Sequence, residues 1–147
     1  MSLEDNKTLM RRLMNEGLNA GNLAIIDEIM SPDFVEHQVL PMQGSGRDVV
    51  KQLFAMLRTA FPDIHFTFDD IIAEGDKVMA RGTARSTHLG PYMGVPPTGK
   101  PVRVTIYDVV RIKDGKMVEH WGLTDALGLM QQIGVVQLPV PAGRPER

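Results

Sequence analysis

A chain of 147 residues with a formal charge of −2 and no cysteine has the length of one domain and excludes disulfides, thiolate catalysis and sulfur-bound zinc. Its 43% hydrophobic and 23% charged residues are ordinary for a globular protein, and no apolar run approaches the ~20 residues of a membrane-spanning helix. With 5% aromatic residues and no Lys/Arg stripe, a nucleic-acid surface is not expected, and the acidic, polar opening Ser2-Leu3-Glu4-Asp5 makes a cytoplasmic setting the expectation.

The first third reads as helices. Ser2 caps a first helix, with Glu4 and Asp5 placed to favour its positive end. Leu3, Met10, Leu13, Met14 and Leu18 recur at helical spacing, so one face covers something apolar. Asn19-Ala20-Gly21-Asn22 ends it, and a second helix follows over Leu23–Met30. Ser31-Pro32-Asp33 reads as the start of another turn, and Phe34–Val39 as an irregular or short extended piece. After the break at Gly44-Ser45-Gly46, a third helix is expected over Arg47–Ala60, with Val50, Leu53, Phe54 and Leu57 on its apolar face.

From Phe61-Pro62-Asp63 onwards the period changes to two. Ile64, Phe66 and Phe68 alternate with polar residues. Lys77–His88 sets Val78, Ala80, Gly82 and Ala84 against Met79, Arg81, Thr83 and Arg85. A long Gly/Pro-rich loop, Leu89–Lys100, precedes a strand over Pro101–Lys113. Asp114-Gly115 is a strong hairpin signal, and Lys116–Thr124 is the returning strand. A short helix over Ala126–Ile133 closes a single domain of residues 1–136, followed by a proline-rich tail, 137–147. Helices first and antiparallel strands afterwards imply an α+β fold with helices on one face of a curved sheet.

A two-residue turn at Asp114-Gly115 pairs Lys113 with Lys116 and sets every later partner. Asp108 then faces Trp121, Ile106 faces Leu123, and Val104 faces Asp125. Cross-strand partners share a face. The inner face is therefore expected to carry Val110, Asp108, Ile106, Trp121, Leu123 and Asp125, together with Glu119. His120 falls on the outer face in this register, and a three-residue turn with a bulge would bring it inward instead. Carboxylates beneath helices are costly unless paired or beside a wet or ligand-filled cavity, where a raised pKa suits general acid/base work. Asp125 is equally placed to cap the following helix. Asp108 is open to an arginine partner, and Glu119 to a structural ion pair.

The ten methionines read first as adaptable core filler, and secondly as the lining of a pliable apolar pocket. No histidine and carboxylate cluster has metal-ligand spacing, and no nucleotide-binding or nucleophile-elbow motif occurs, so neither metal nor cofactor is expected.

The run Asp114-Gly115-Lys116, Val118-Glu119-His120-Trp121, Asp125, Leu127-Gly128-Leu129, Gln132 and Gly134 resembles the SnoaL-like polyketide cyclases and the ester cyclases grouped with them. Phe61-Pro62-Asp63, Glu74-Gly75-Asp76-Lys77-Val78, Thr87-His88-Leu89-Gly90 and Gly94-Val95-Pro96-Pro97-Thr98-Gly99-Lys100 belong to the same pattern. Asn19-Ala20-Gly21-Asn22 and Asp33-Phe34-Val35-Glu36-His37 fit its first third. The resemblance implies a cystatin-like cone of the nuclear-transport-factor-two type, in which three N-terminal helices and a curved antiparallel sheet enclose a pocket. It implies cofactor-free proton abstraction next to carbonyls, followed by intramolecular aldol closure or isomerisation of a small apolar, polyketide-like substrate. Asp125 is then the acid/base and His37 a second catalytic group. Trp121, Asp108, His88, Phe54, Leu123 and Ile106 are expected to bind substrate. It also implies a homodimer through the outer face of the sheet.

Two other readings share this fold. Epoxide hydrolysis or dehydration would need an arginine, from Arg81, Arg85, Arg103 or Arg111, between two aspartates inside the pocket. A non-catalytic dimeric binding module would need a pocket filled by side chains, with Asp125 serving only as a cap.

Overall fold

The computed structural model describes residues 2–137 and 139; the tail expected over 137–147 lies largely outside the described residues. The first helix, α1 (Leu3–Arg12), opens on a reciprocal cap. Ser2 Oγ accepts from Asp5 N–H, and Asp5 Oδ2 accepts from Ser2 N–H, each at 3.0 Å. The helix does not stop there but widens into a π-helical stretch, Leu13–Asn19. Arg58 closes that stretch by donating to the carbonyls of Leu18 and Asn19 at 2.8 and 2.9 Å. The Asn19 amide then imitates a strand, accepting from Phe66 N–H at 2.7 Å and donating to Phe66 O at 2.9 Å. The helical layer is thereby fastened to one edge of the sheet.

After α2 (Ala24–Ile29) the chain enters β1 (Met30–Glu36). The helical turn expected at Ser31-Pro32-Asp33 is therefore a strand. Burial of Met30 and Phe34 holds it against the core, and the register breaks between Met30 and Val35, where the proline sits. An edge strand with an irregularity is where proline is tolerated, because no ladder hydrogen bond is lost. The expected α3 (Arg47–Ala60) forms with the bounds read from its periodicity. Four strands follow: β2 (His65–Glu74), β3 (Lys77–Thr87), β4 (Pro101–Lys113) and β5 (Lys116–Thr124), before the last helix, α4 (Ala126–Gln132).

The sheet order is β1-β5-β4-β3-β2, antiparallel throughout except that β1 runs parallel to β5. The α+β cone expected from the sequence is the fold. Helices cover the concave face, and Met10, Leu18, Ile25, Ile26, Phe66 and Val110 are sealed between the layers. No helix among the described residues is long and apolar enough to cross a membrane.

Candidate active site

The hairpin between β4 and β5 positions the site, and its turn forms as expected. Asp114 and Gly115 both have positive φ, 51° and 74°, and Lys113 pairs with Lys116. One step on, Ile112 pairs with Met117, but Arg111 then pairs with Glu119. Val118 is the extra residue of a β-bulge, and every later residue of β5 changes face. Val110 faces His120, Val109 faces Trp121, and Asp108 faces Gly122.

The physical reason lies in the charges. Without the bulge, Glu119 and Asp108 would both be turned under the helices with no cation between them, a costly arrangement. With it, Glu119 swings out to Arg111, whose Nε lies 2.5 Å away, and to His37 Nε2 at 3.2 Å. Those two partners, Arg111 first, hold the Glu119 carboxyl below the usual carboxylate range. His120 takes the inner place, between two carboxylates from different strands.

His120 Nδ1 lies 2.7 and 2.8 Å from the two oxygens of Glu36 on β1, and Nε2 lies 2.7 Å from Asp108 Oδ1 on β4. The side chains of His120, Glu36 and Asp108 are only 14%, 6% and 12% exposed, so this is a desolvated array. Burial opposes the charged imidazole. The hydrogen bonds to Asp108 and Glu36 more than offset it, and the His120 pKa rises to about 9. At neutral pH His120 is therefore an imidazolium set between two acidic side chains. Glu36 is saturated: both oxygens meet the imidazole, and Oε1 also accepts from Gln38 N–H at 2.9 Å. Among the described residues, Asp108 is hydrogen-bonded through Oδ1 alone.

The array forms the polar floor of a cavity of about 310 Å³ between the helices and the sheet. Phe54 and Leu57 of α3, Leu13 and Met14 of the π-helical stretch, and Val104 and Ile106 of β4 supply much of the wall. Met10, Met14, Met30, Met93 and Met130 all line it, so half of the chain's methionines serve the pocket. Among the described residues, neither lysine nor arginine lines it.

Of the residues expected at the site, Asp108, Phe54 and Ile106 line this cavity. The bulge turns Trp121 and Leu123 to the outer face, where they are 37% and 72% exposed. His37 goes with them, its ring stacked on Trp121 at 4.8 Å between centroids and 4° between planes. It lines a second, neighbouring hollow formed by residues 34–49. His88 is fully buried behind the wall, against Phe61, with Nδ1 2.9 Å from Thr98 Oγ1. Asp125 is exposed and caps α4, accepting from Gly128 N–H at 2.9 Å, and the cavity lining does not include it.

The cap reading of Asp125 and the structural ion pair of Glu119 are thus both realised. No arginine enters the cavity: Arg81 pairs with Asp70, Arg111 with Glu119, and Arg85 and Arg103 are exposed. Of the polar residues that line the cavity, sequence reasoning did not place Glu36 or Gln38, and it gave His120 only as the alternative to Trp121. The available signal was the surplus of uncompensated carboxylates on the supposed inner face, beside a histidine one position out of phase.

The sequence profile of the SnoaL-like polyketide cyclases matches residues 8–133. The chain is 28% identical over 123 residues to the nogalonic acid methyl ester cyclase of Streptomyces nogalater, covering 82% of this chain and 92% of that protein. The structure of TsrD from Streptomyces laurentii superposes with a TM-score of 0.84 at 27% identity, covering 92% and 99% of the two chains. AclR from Streptomyces galilaeus, described as a candidate hydroxylase, superposes with the same TM-score, 0.84, at 31% identity and with coverage of 96% and 91%.

Proposed function

The chain belongs to the SnoaL-like polyketide cyclase family, and we propose that it closes a ring in a polyketide ester by a cofactor-independent intramolecular aldol reaction with Asp108 as the base. The free oxygen of Asp108 removes a proton from a carbon flanked by carbonyls. The resulting enolate carbon attacks a second carbonyl of the same molecule: one C–C bond forms, one C=O π bond breaks, and the new alkoxide takes up the proton. Substrate and product are isomers, so nothing is oxidised and no co-reactant is consumed. His120 holds Asp108 in place and keeps the floor from carrying two uncompensated charges, while Glu36 fixes the imidazolium from behind.

The observation that carries this reading is the desolvated Glu36–His120–Asp108 array on the floor of an apolar cavity. The cavity, at about 310 Å³, is of the size expected for a small-molecule site. Nogalonic acid methyl ester, the substrate named for the Streptomyces nogalater relative, is the natural first compound. Purified protein is expected to convert it to an isomer of unchanged mass without added cofactor and in the presence of a chelator. No conversion of this ester, or a product of altered mass, would count against the reading.

The proposal includes a homodimer in a cytoplasmic setting. Ile72, Met79, Val109 and Trp121 are consecutive partners across four strands and form an apolar row on the convex face. Leu123 and Tyr107 stand beside it, 72% and 41% exposed. A second copy related by a two-fold axis would cover the row with itself. Leu123→Glu places a charge in that contact, so sedimentation should show a monomer for the variant and a dimer for the parent. A monomeric parent would refute the dimer.

A further inference from the structure

We propose that Gln38 is a further catalytic residue of this site: its side-chain amide donates a hydrogen bond to the substrate oxygen on which enolate charge collects when Asp108 takes the proton. The inference rests on Asp108 being the base, and it begins from a shortage of cationic donors. Both ring N–H groups of the imidazolium are already committed, Nδ1 to Glu36 and Nε2 to Asp108. Among the described residues, neither lysine nor arginine lines the cavity. A developing oxyanion beside two carboxylates would therefore be unstabilised unless some other donor reaches it.

Gln38 is held where such a donor is needed. Its backbone N–H is fixed by Glu36 Oε1 at 2.9 Å. Its side chain lines the cavity, and its amide makes no hydrogen bond with any described residue. Gly122, directly opposite Asp108 on the β4–β5 ladder, makes the position possible. A Cβ on Gly122 would stand 2.5 Å from Gln38 Oε1 and 2.6 and 3.1 Å from Cε1 and Nε2 of His120. The amide and the imidazole edge thus fill the room that a side chain at 122 would take, and the imidazole meets Asp108 there. Ser86, Tyr92 and Thr124 also line the cavity. Ser86 lies six residues along β3 from Ala80, the partner of Asp108, Tyr92 is in the loop before β4, and Thr124 is paired with Ile106, whereas the Gln38 amide lies beside the His120 ring at Gly122. An amide also suits the task chemically. It carries no charge to upset the array, and it keeps two N–H groups free.

The test is steady-state turnover of nogalonic acid methyl ester by the full chain and by Gln38→Leu. The variant should lose roughly 10²-fold in kcat, the usual cost of one oxyanion donor, with KM little changed. Its pH profile should keep the same alkaline limb, since the imidazolium and its carboxylates are untouched. Gln38→Glu, of the same length, should lose at least as much, and its added carboxylate should move that limb to higher pH. Gly122→Ala should lose kcat by displacing both the amide and the imidazole edge. Retention of kcat within about twofold in both Gln38 variants would overturn the inference. Asp108→Asn separates the two claims. If it is inactive while the Gln38 variants are active, only the inference about Gln38 falls. If it is fully active, or the parent does not turn the ester over, the reading of Asp108 falls and takes this one with it.

Discussion

Replacing Asp108 by asparagine is expected to lower kcat by about 10²–10⁴-fold, the range for loss of a positioned general base. The substitution keeps the shape and a hydrogen-bonding oxygen towards His120, so KM should change little, while the melting temperature should fall because the imidazolium loses one of its two buried carboxylates. Asp125→Asn is the informative companion. Asparagine caps a helix as well as aspartate does, and Asp125 stands outside the cavity at the start of α4. Its activity should therefore stay within about twofold of the parent, while Asp125→Ala should cost about 1 kcal/mol of stability as a lost cap. A dead Asp125→Asn beside an active Asp108→Asn would reverse the assignment and restore the expectation drawn from the sequence alone.

Removal of His120 is expected to damage folding as well as chemistry. His120→Phe leaves Glu36 and Asp108 buried with no cation between them. Breaking a buried ion pair in this way typically costs about 3–5 kcal/mol, unless a carboxylate takes up a proton to escape it. Pairing the change with Glu36→Gln should recover much of the stability but not the activity.

The same array sets a pH dependence with a definite sign. His120 has a folded-state pKa of about 9 against a reference of 6.5, so between those values the folded protein holds a proton that the unfolded chain has released. The associated stability is complete below about pH 6.5 and is lost as pH rises through about 9. Urea unfolding of the parent at pH 6, 8 and 10 should show that decline, on the order of 3 kcal/mol in all. His120→Phe should be without this component, and an equal decline in the variant would assign it to other groups.

How much of this was legible in the sequence depended on whether local chemistry or long-range packing made the decision. Helix α3 could be read to its ends because Gly46 and Phe61-Pro62 bound a continuous apolar stripe. The hairpin turn was legible because Asp-Gly is matched to positive φ at both positions. The path of β1 was not. Ser31-Pro32 has the local chemistry of a helix start, and only burial of Phe34 and parallel pairing with β5 override it.

The bulge at Val118 was the costly omission. Nothing in Met117-Val118-Glu119-His120-Trp121 marks which residue will be extra, since the choice is made by Arg111 drawing Glu119 out and by Glu36, remote in sequence, receiving His120. One inserted residue exchanged an indole for an imidazole on the cavity floor. It also turned the conspicuous end of the strand, Trp121 to Asp125, away from the chemistry. Asp108 and Phe54 kept their places because β4 and α3 lie on the regular side of that defect.

The most direct measurement is nitrogen-resolved NMR of the histidine side chains in the parent protein across pH 5 to 11, with His120 assigned by its loss in His120→Phe. The account predicts one imidazole protonated on both nitrogens at neutral pH, hydrogen-bonded on both sides, and titrating near 9. A His120 that is neutral at pH 7.5, or that titrates at about 6.5 like a solvated imidazole, would contradict it.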